Sequence, residues 1–132
     1  MRVDTRKKIV TPEDAVAVAE RLRAGGTALK VVSGYFDPLL AEHSRRLGRA
    51  RDEDGALMAV ISSPADPILN AGARAELVAA LGVVDYVVLP GNTTVEELLA
   101  RLPVAEIIRL ERADEETTRE LIRHVHNRQE PG

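Results

Sequence analysis

The 132-residue chain contains no cysteine and no tryptophan. Without cysteine there is no disulfide scaffold, no thiolate metal site and no cysteine nucleophile. Aromatic rings are limited to Tyr35, Phe36 and Tyr86, too few for a base-stacking platform. Positive charge is not in excess: 18 Lys and Arg against 21 Asp and Glu leave a formal net charge of −3. That balance argues against a nucleic-acid partner. No apolar run approaches the roughly 18 residues that span a bilayer. The start, Met-Arg-Val-Asp-Thr-Arg-Lys-Lys, lacks the apolar stretch of a signal peptide. The expectation is a soluble, cytoplasmic protein with no membrane partner. The remaining composition is ordinary for a globular chain, and the length suits one domain over residues 1–132.

Within that domain, residues 1–10 read as a polar lead-in ending in Lys7, Lys8, Ile9 and Val10, and residues 128–132 as a frayed tail. Thr11-Pro12-Glu13-Asp14 is a helix start: a capping hydroxyl, a proline at the first helical position and an acidic first turn. Ala15, Val18, Ala19 and Leu22 follow at helical spacing, and Gly25-Gly26 ends the helix. Strands are predicted over 28–33, 56–61, 83–89 and 105–110. The continuous apolar run over 56–61 marks a strand buried on both faces, and 83–89 reads as a further buried strand. Helices are predicted over about 39–51, after Asn70, after Thr93 or Thr94, and over 114–127. This alternation with short connections predicts a three-layer α/β/α fold, Rossmann-like, with a mostly parallel sheet of four or five strands.

Ligands of such sheets bind beyond the carboxyl ends of the strands. The first end here reads Ser33-Gly34-Tyr35-Phe36-Asp37-Pro38-Leu39-Leu40-Ala41-Glu42-His43. Gly34 permits close backbone approach, and the helix that follows offers free N–H groups.

Gly-Tyr-Phe-Asp-Pro-Leu followed by His43 resembles the opening motif of the cytidylyltransferase-like nucleotidyltransferases, Gly-Cys-Phe-Asp-hydrophobic-Leu-His-x-Gly-His. The resemblance is nearest to the adenylyltransferase module of ADP-heptose synthases. It extends to Arg74-Ala75-Glu76-Leu77-Val78-Ala79-Ala80-Leu81-Gly82-Val83-Val84-Asp85-Tyr86-Val87-Val88 and covers most of residues 7–102. The resemblance implies transfer of a nucleotidyl group from ATP or CTP, with Mg²⁺, to a sugar or alcohol phosphate. It implies His43 as the catalytic phosphate contact, with Gly34, Tyr35, Phe36, Asp37, His43, Ser62, Arg112, Thr117 and Thr118 around the nucleotide. Family members commonly form homodimers, so a homodimer is expected. No metal-ligating residue of the protein is implied.

Against this pattern, three places depart in one direction. The first motif histidine maps to Leu40, which has no side-chain donor, and the motif glycine maps to Glu42. The family's Asn-Ser-Asp becomes Ser62-Ser63-Pro64. The family's Arg-x-x-Gly-x-Ser-Thr-Thr aligns with Arg112, Thr117 and Thr118, but Glu115 replaces the glycine and Arg119 the last threonine. Asp114-Glu115-Glu116 then fills the place of an anionic ligand. Each change removes groups that hold ATP phosphates. The expected function is therefore a ligand-binding or regulatory module with catalysis weakened or lost. The alternatives are an active, divergent nucleotidyltransferase and a generic doubly wound sensor.

Each candidate also has a plain structural reading. His43 can be a packed helix residue near Arg45, Arg46 and Arg49. Asp37 can cap the next helix, Phe36 can be core, and Ser62-Ser63 can be a loop cap without the glycine pattern of a nucleophile elbow. His124 and His126 do not share a helix face and read as surface residues.

Overall fold

Local capping chemistry sets three of the four α-helices that are bounded among the described residues. The Thr11 hydroxyl accepts from the Asp14 N–H at 3.2 Å, with Pro12 in the first position, and starts α1 (Pro12–Ala24). The Asn70 side chain accepts from the Ala73 N–H at 2.7 Å and starts α3 (Ala71–Ala79). The Thr94 hydroxyl accepts from the Glu97 N–H at 3.1 Å and starts α4 (Val95–Arg101). Each such cap contributes about 1 kcal/mol. The fourth helix, α2 (Ala41–Ala50), begins at Leu40, which has no capping oxygen.

In the computed structural model, which describes residues 4–104, 106–113 and 116, five strands form one sheet in the order β1-β4-β3-β2-β5. They are β1 (Ile9–Val10), β2 (Leu29–Gly34), β3 (Ala56–Ile61), β4 (Tyr86–Val88) and β5 (Glu106–Arg109). Every neighbouring pair is parallel. Helices α2 and α3 cover one face and α1 and α4 the other. Along β3, Met58 and Val60 face Ala15, Val18 and Leu98, while Leu57, Ala59 and Ile61 face Leu47, Ala75 and Val78. This two-sided burial is why the run reads apolar without alternation. The three-layer α/β/α fold expected from the pattern is the one found.

Two boundaries differ from expectation by more than two residues or by a whole element, those of the other bounded elements by at most two residues. Ile9–Val10 is not lead-in but an edge strand, with Ile9 beside Val87 and Val10 beside Val88. Lys8 secures it by donating to the carbonyls of Leu81 and Val84 at 3.1 and 2.8 Å. The strand expected over 83–89 shortens to Tyr86–Val88. Before it, a side chain replaces the ladder: the Asp85 carboxylate accepts the Leu57 N–H at 2.9 Å and pairs with Arg51. Ala105, most of the helix expected over 114–127, with His124 and His126, and the tail 128–132 lie outside the described residues.

The chain runs from β2 through α2 and α3 toward β4, then returns through α4 to β5 on the other side of β2. The strand order thus reverses between β2 and β5, and the carboxyl ends of the strands at such a reversal are where open parallel sheets bind ligands in a crevice.

Candidate functional site

The motif loop leaves β2 at Gly34, whose carbonyl accepts the Ser62 N–H at 2.9 Å. Phe36 then takes a left-handed backbone, φ 49°, a conformation that costs a non-glycine residue roughly 1 kcal/mol. The turn drives the Phe36 ring into the core against α2 and α3, where it is fully buried. Burial of an aromatic ring offsets that cost. The Asp37–Pro38 peptide bond is cis.

Asp37 does not cap α2. Its carboxylate accepts the Ile68 N–H at 2.6 Å and the Leu69 N–H at 2.7 Å, fastening the loop that precedes α3. The helix N-terminus at Leu40 is served by His43. The imidazole Nδ1 accepts the Leu40 N–H at 2.9 Å, and the ring is 1% exposed. It meets the Phe36 ring edge-on with centroids 5.6 Å apart. With Nδ1 accepting, a neutral ring carries its proton on Nε2. Glu42 lies back along the helix rather than toward the crevice. Its carboxylate meets Arg45 at 2.9 Å, Arg46 at 3.3 Å and Arg49 at 3.5 Å. Hydrogen bonding from Arg45 holds its pKa below the usual glutamate value.

Sequence reasoning missed the residue that ties the crevice together. Arg74 of α3 is 1% exposed. Its Nε donates to the Leu69 carbonyl at 3.0 Å, and its Nη1 to the carbonyls of Tyr35 at 3.0 Å and Ser62 at 2.6 Å. Its Nη2 reaches the Ser63 hydroxyl at 3.2 Å. A planar guanidinium with five fixed donors can serve such a fan of acceptors, and an ammonium cannot. The sequence did carry a signal: Arg74 is four residues before Val78 and so shares a face with a core position.

Ser62 is buried and donates its hydroxyl to Glu111 at 3.2 Å, placing a carboxylate beside the carboxyl end of β3. Gly34, Tyr35, Phe36, Asp37, His43 and Ser62 therefore lie together around the exits of β2 and β3. Arg112 is exposed beyond β5, and Thr117 and Thr118 lie outside the described residues. A cavity of about 440 Å³ opens beyond β3 and β4, lined by Ile61, Ser62, Ser63, Leu89, Thr93 and Thr94 among others. Its described lining bears hydroxyls and apolar groups and no charged side chain. A hollow of about 520 Å³ near Thr27 and Pro103 lies at the amino ends of the strands, the end that open parallel sheets do not use for ligands. Among the described residues no helix is long and apolar enough to cross a membrane.

No family model matches the chain. Over 108 residues it is 31% identical to the bifunctional protein HldE of Pelobacter propionicus, a stretch that covers 75% of this chain and 22% of that protein. Together with the residues Gly34 to His43, this distant similarity supports a relationship to the cytidylyltransferase-like family.

Proposed function

We propose that the chain is a nucleotidyltransferase-like module that binds a nucleoside-sized ligand at the carboxyl ends of its strands and has little or no nucleotidyl-transfer activity. The observation that carries this reading is the start of α2. There the Leu40 N–H, a donor that a phosphate could use, is bonded to His43, and Leu40 itself brings no polar side chain.

The remaining polar groups support the same reading. A Mg²⁺-bound polyphosphate needs cations and free N–H donors on one side and carboxylates free to meet the metal on the other. The carboxylate of Asp37 accepts two backbone N–H groups, and that of Glu42 faces three arginines. The buried guanidinium of Arg74 faces carbonyls, and Glu111 adds negative charge next to Ser62. These residues do not fit the polyphosphate group. The uncharged cavity beyond β3 and β4 suits a neutral ligand oriented by the hydroxyls of Ser63, Thr93 and Thr94.

A second reading is an active, divergent nucleotidyltransferase acting on a sugar or alcohol phosphate, with His43 and Arg112 on the phosphates. Retention of Gly34, Phe36, Asp37 and His43 in one cluster favours it. Pyrophosphate release from ATP and CTP with Mg²⁺, across a panel of sugar phosphates, separates the two. The first reading predicts none above background, and improved Mg²⁺–nucleotide binding when Leu40→His and Glu42→Gly are combined. Turnover by the unmodified protein would establish the second.

A further inference from the structure

We infer that the flank of α2 facing β5 is a binding site for a small amphiphilic anion, an acid group attached to a short hydrocarbon. A groove of about 280 Å³ lies there, lined by Val32, Arg46, Arg49, Ala50, Ile108 and Leu110. Its walls divide by chemistry. Ile108 of β5 and Leu110 just beyond, half-buried over the fully buried Val32 of β2, form an apolar floor. Arg46 and Arg49 supply the cationic side.

Two observations point to an anion. First, the local charge is not balanced. Among the described residues Glu42 is the carboxylate that pairs with Arg45, Arg46 and Arg49, so three positive charges less one negative leave a surplus of two there. Second, Arg46 has a donor with nothing to donate to. Its Nε faces Glu42 at 3.3 Å, while its Nη1 is buried with no hydrogen-bond partner among the described residues. A buried, unsatisfied guanidinium N–H is costly, and an oxygen acceptor brought to it recovers that cost. The donor is already dehydrated, so binding an oxyanion there needs little further loss of water. Arg46 lines the groove, and its side chain is 26% exposed, so part of it is open to a ligand there.

The volume limits the tail to a short chain, and the charge pattern demands one acid group. A carboxylate and a phosphate monoester share this chemistry. The site is separate from the Asp37 and Arg74 lacing and does not depend on whether nucleotides bind.

Octanoate, kept below its micelle concentration, should be titrated into the isotopically labelled full chain and followed by amide chemical shifts, with calorimetry for affinity. The inference predicts saturable shifts at residues 46–50 and 106–110, and binding at least tenfold weaker for 1-octanol and for acetate. Arg46→Gln and, separately, Arg49→Gln should each weaken octanoate about tenfold while keeping the native spectrum, a loss of about 1.4 kcal/mol. Octyl phosphate identifies the head group: tighter binding than octanoate assigns a phosphate monoester, and weaker binding a carboxylate. Absence of saturation at millimolar octanoate, equal affinity for 1-octanol, shifts centred elsewhere, or unchanged affinity in both arginine variants would overturn it.

Discussion

The two ends of the sheet satisfy charge in different ways. At the amino end, charged groups pair with each other as well as with the backbone: Asp85 also accepts the Leu57 N–H, and Lys8 and Arg51 donate to the carbonyls of Leu81, Val83 and Val84. Arg51 meets Asp85, and Lys30 meets Asp52 at 3.0 Å and Glu106 at 3.4 Å. At the carboxyl end, Asp37 and Arg74 spend their hydrogen bonds on the backbone of two loops. Leu69 shows the arrangement most plainly, its N–H given to Asp37 and its carbonyl accepting from Arg74. At the amino end one side chain serves both a charge and the backbone, as Asp85 and Arg51 do. The carboxyl-end loops are irregular, and buried peptide groups without a ladder need side-chain partners. The candidate site is therefore shaped by charge held against backbone, which leaves little of that charge for a polyphosphate.

That contrast is broken most severely by Arg74→Ala, which leaves three carbonyls without their donor. A loss of about 3 kcal/mol or more is expected from the urea midpoint, since each buried unsatisfied group costs about 1–3 kcal/mol. Arg74→Lys should recover only part of it, because a point charge cannot serve the same fan. A loss below about 1 kcal/mol would show that water replaces the guanidinium easily.

Asp37→Ala ranks next, at about 2 kcal/mol, with two N–H groups stripped of their acceptor. Hydrogen exchange should accelerate at Ile68 and Leu69 and remain slow in β3. At the amino end, Arg51→Ala should cost about 1 kcal/mol, because one carbonyl, that of Val83, loses a donor while Asp85 keeps the Leu57 N–H and is partly solvated. A larger loss than Asp37→Ala would reverse the ranking of the two ends.

The smallest effect belongs to Glu42. Its folded pKa is depressed, so its contribution is present above the ordinary glutamate value and disappears as pH falls through the lowered one. Glu42→Gln should flatten the acid limb of the stability curve in that window and leave neutral pH nearly unchanged.

These sites also mark where the sequence was readable. Caps at Thr11, Asn70 and Thr94 were legible because the chemistry is complete within four residues. The buried strands were legible from their apolar runs. The edge strand Ile9–Val10 was not, since two residues carry no period and its partner is nearly eighty residues away in sequence. The crevice was half legible. The motif named Gly34, Phe36, Asp37 and His43, but not what they touch. Asp37 reaches 31 and 32 residues along the chain, and Arg74 reaches back 39 residues to Tyr35. Motif alignment places Glu42 at the family's glycine but does not say where its carboxylate points; Arg45, Arg46 and Arg49 on the same helix hold it.

The most direct test of the central claim is thermal stability of the unmodified protein with ATP, CTP and pyrophosphate, each with and without Mg²⁺. A ligand bound at a tenth of its concentration stabilises by about 1.4 kcal/mol, a shift of a few degrees for a chain of this size. The account predicts no Mg²⁺-dependent shift with any of the three at millimolar concentration. A Mg²⁺-dependent rise of several degrees with ATP or CTP would contradict it and restore the crevice as a nucleotide triphosphate site.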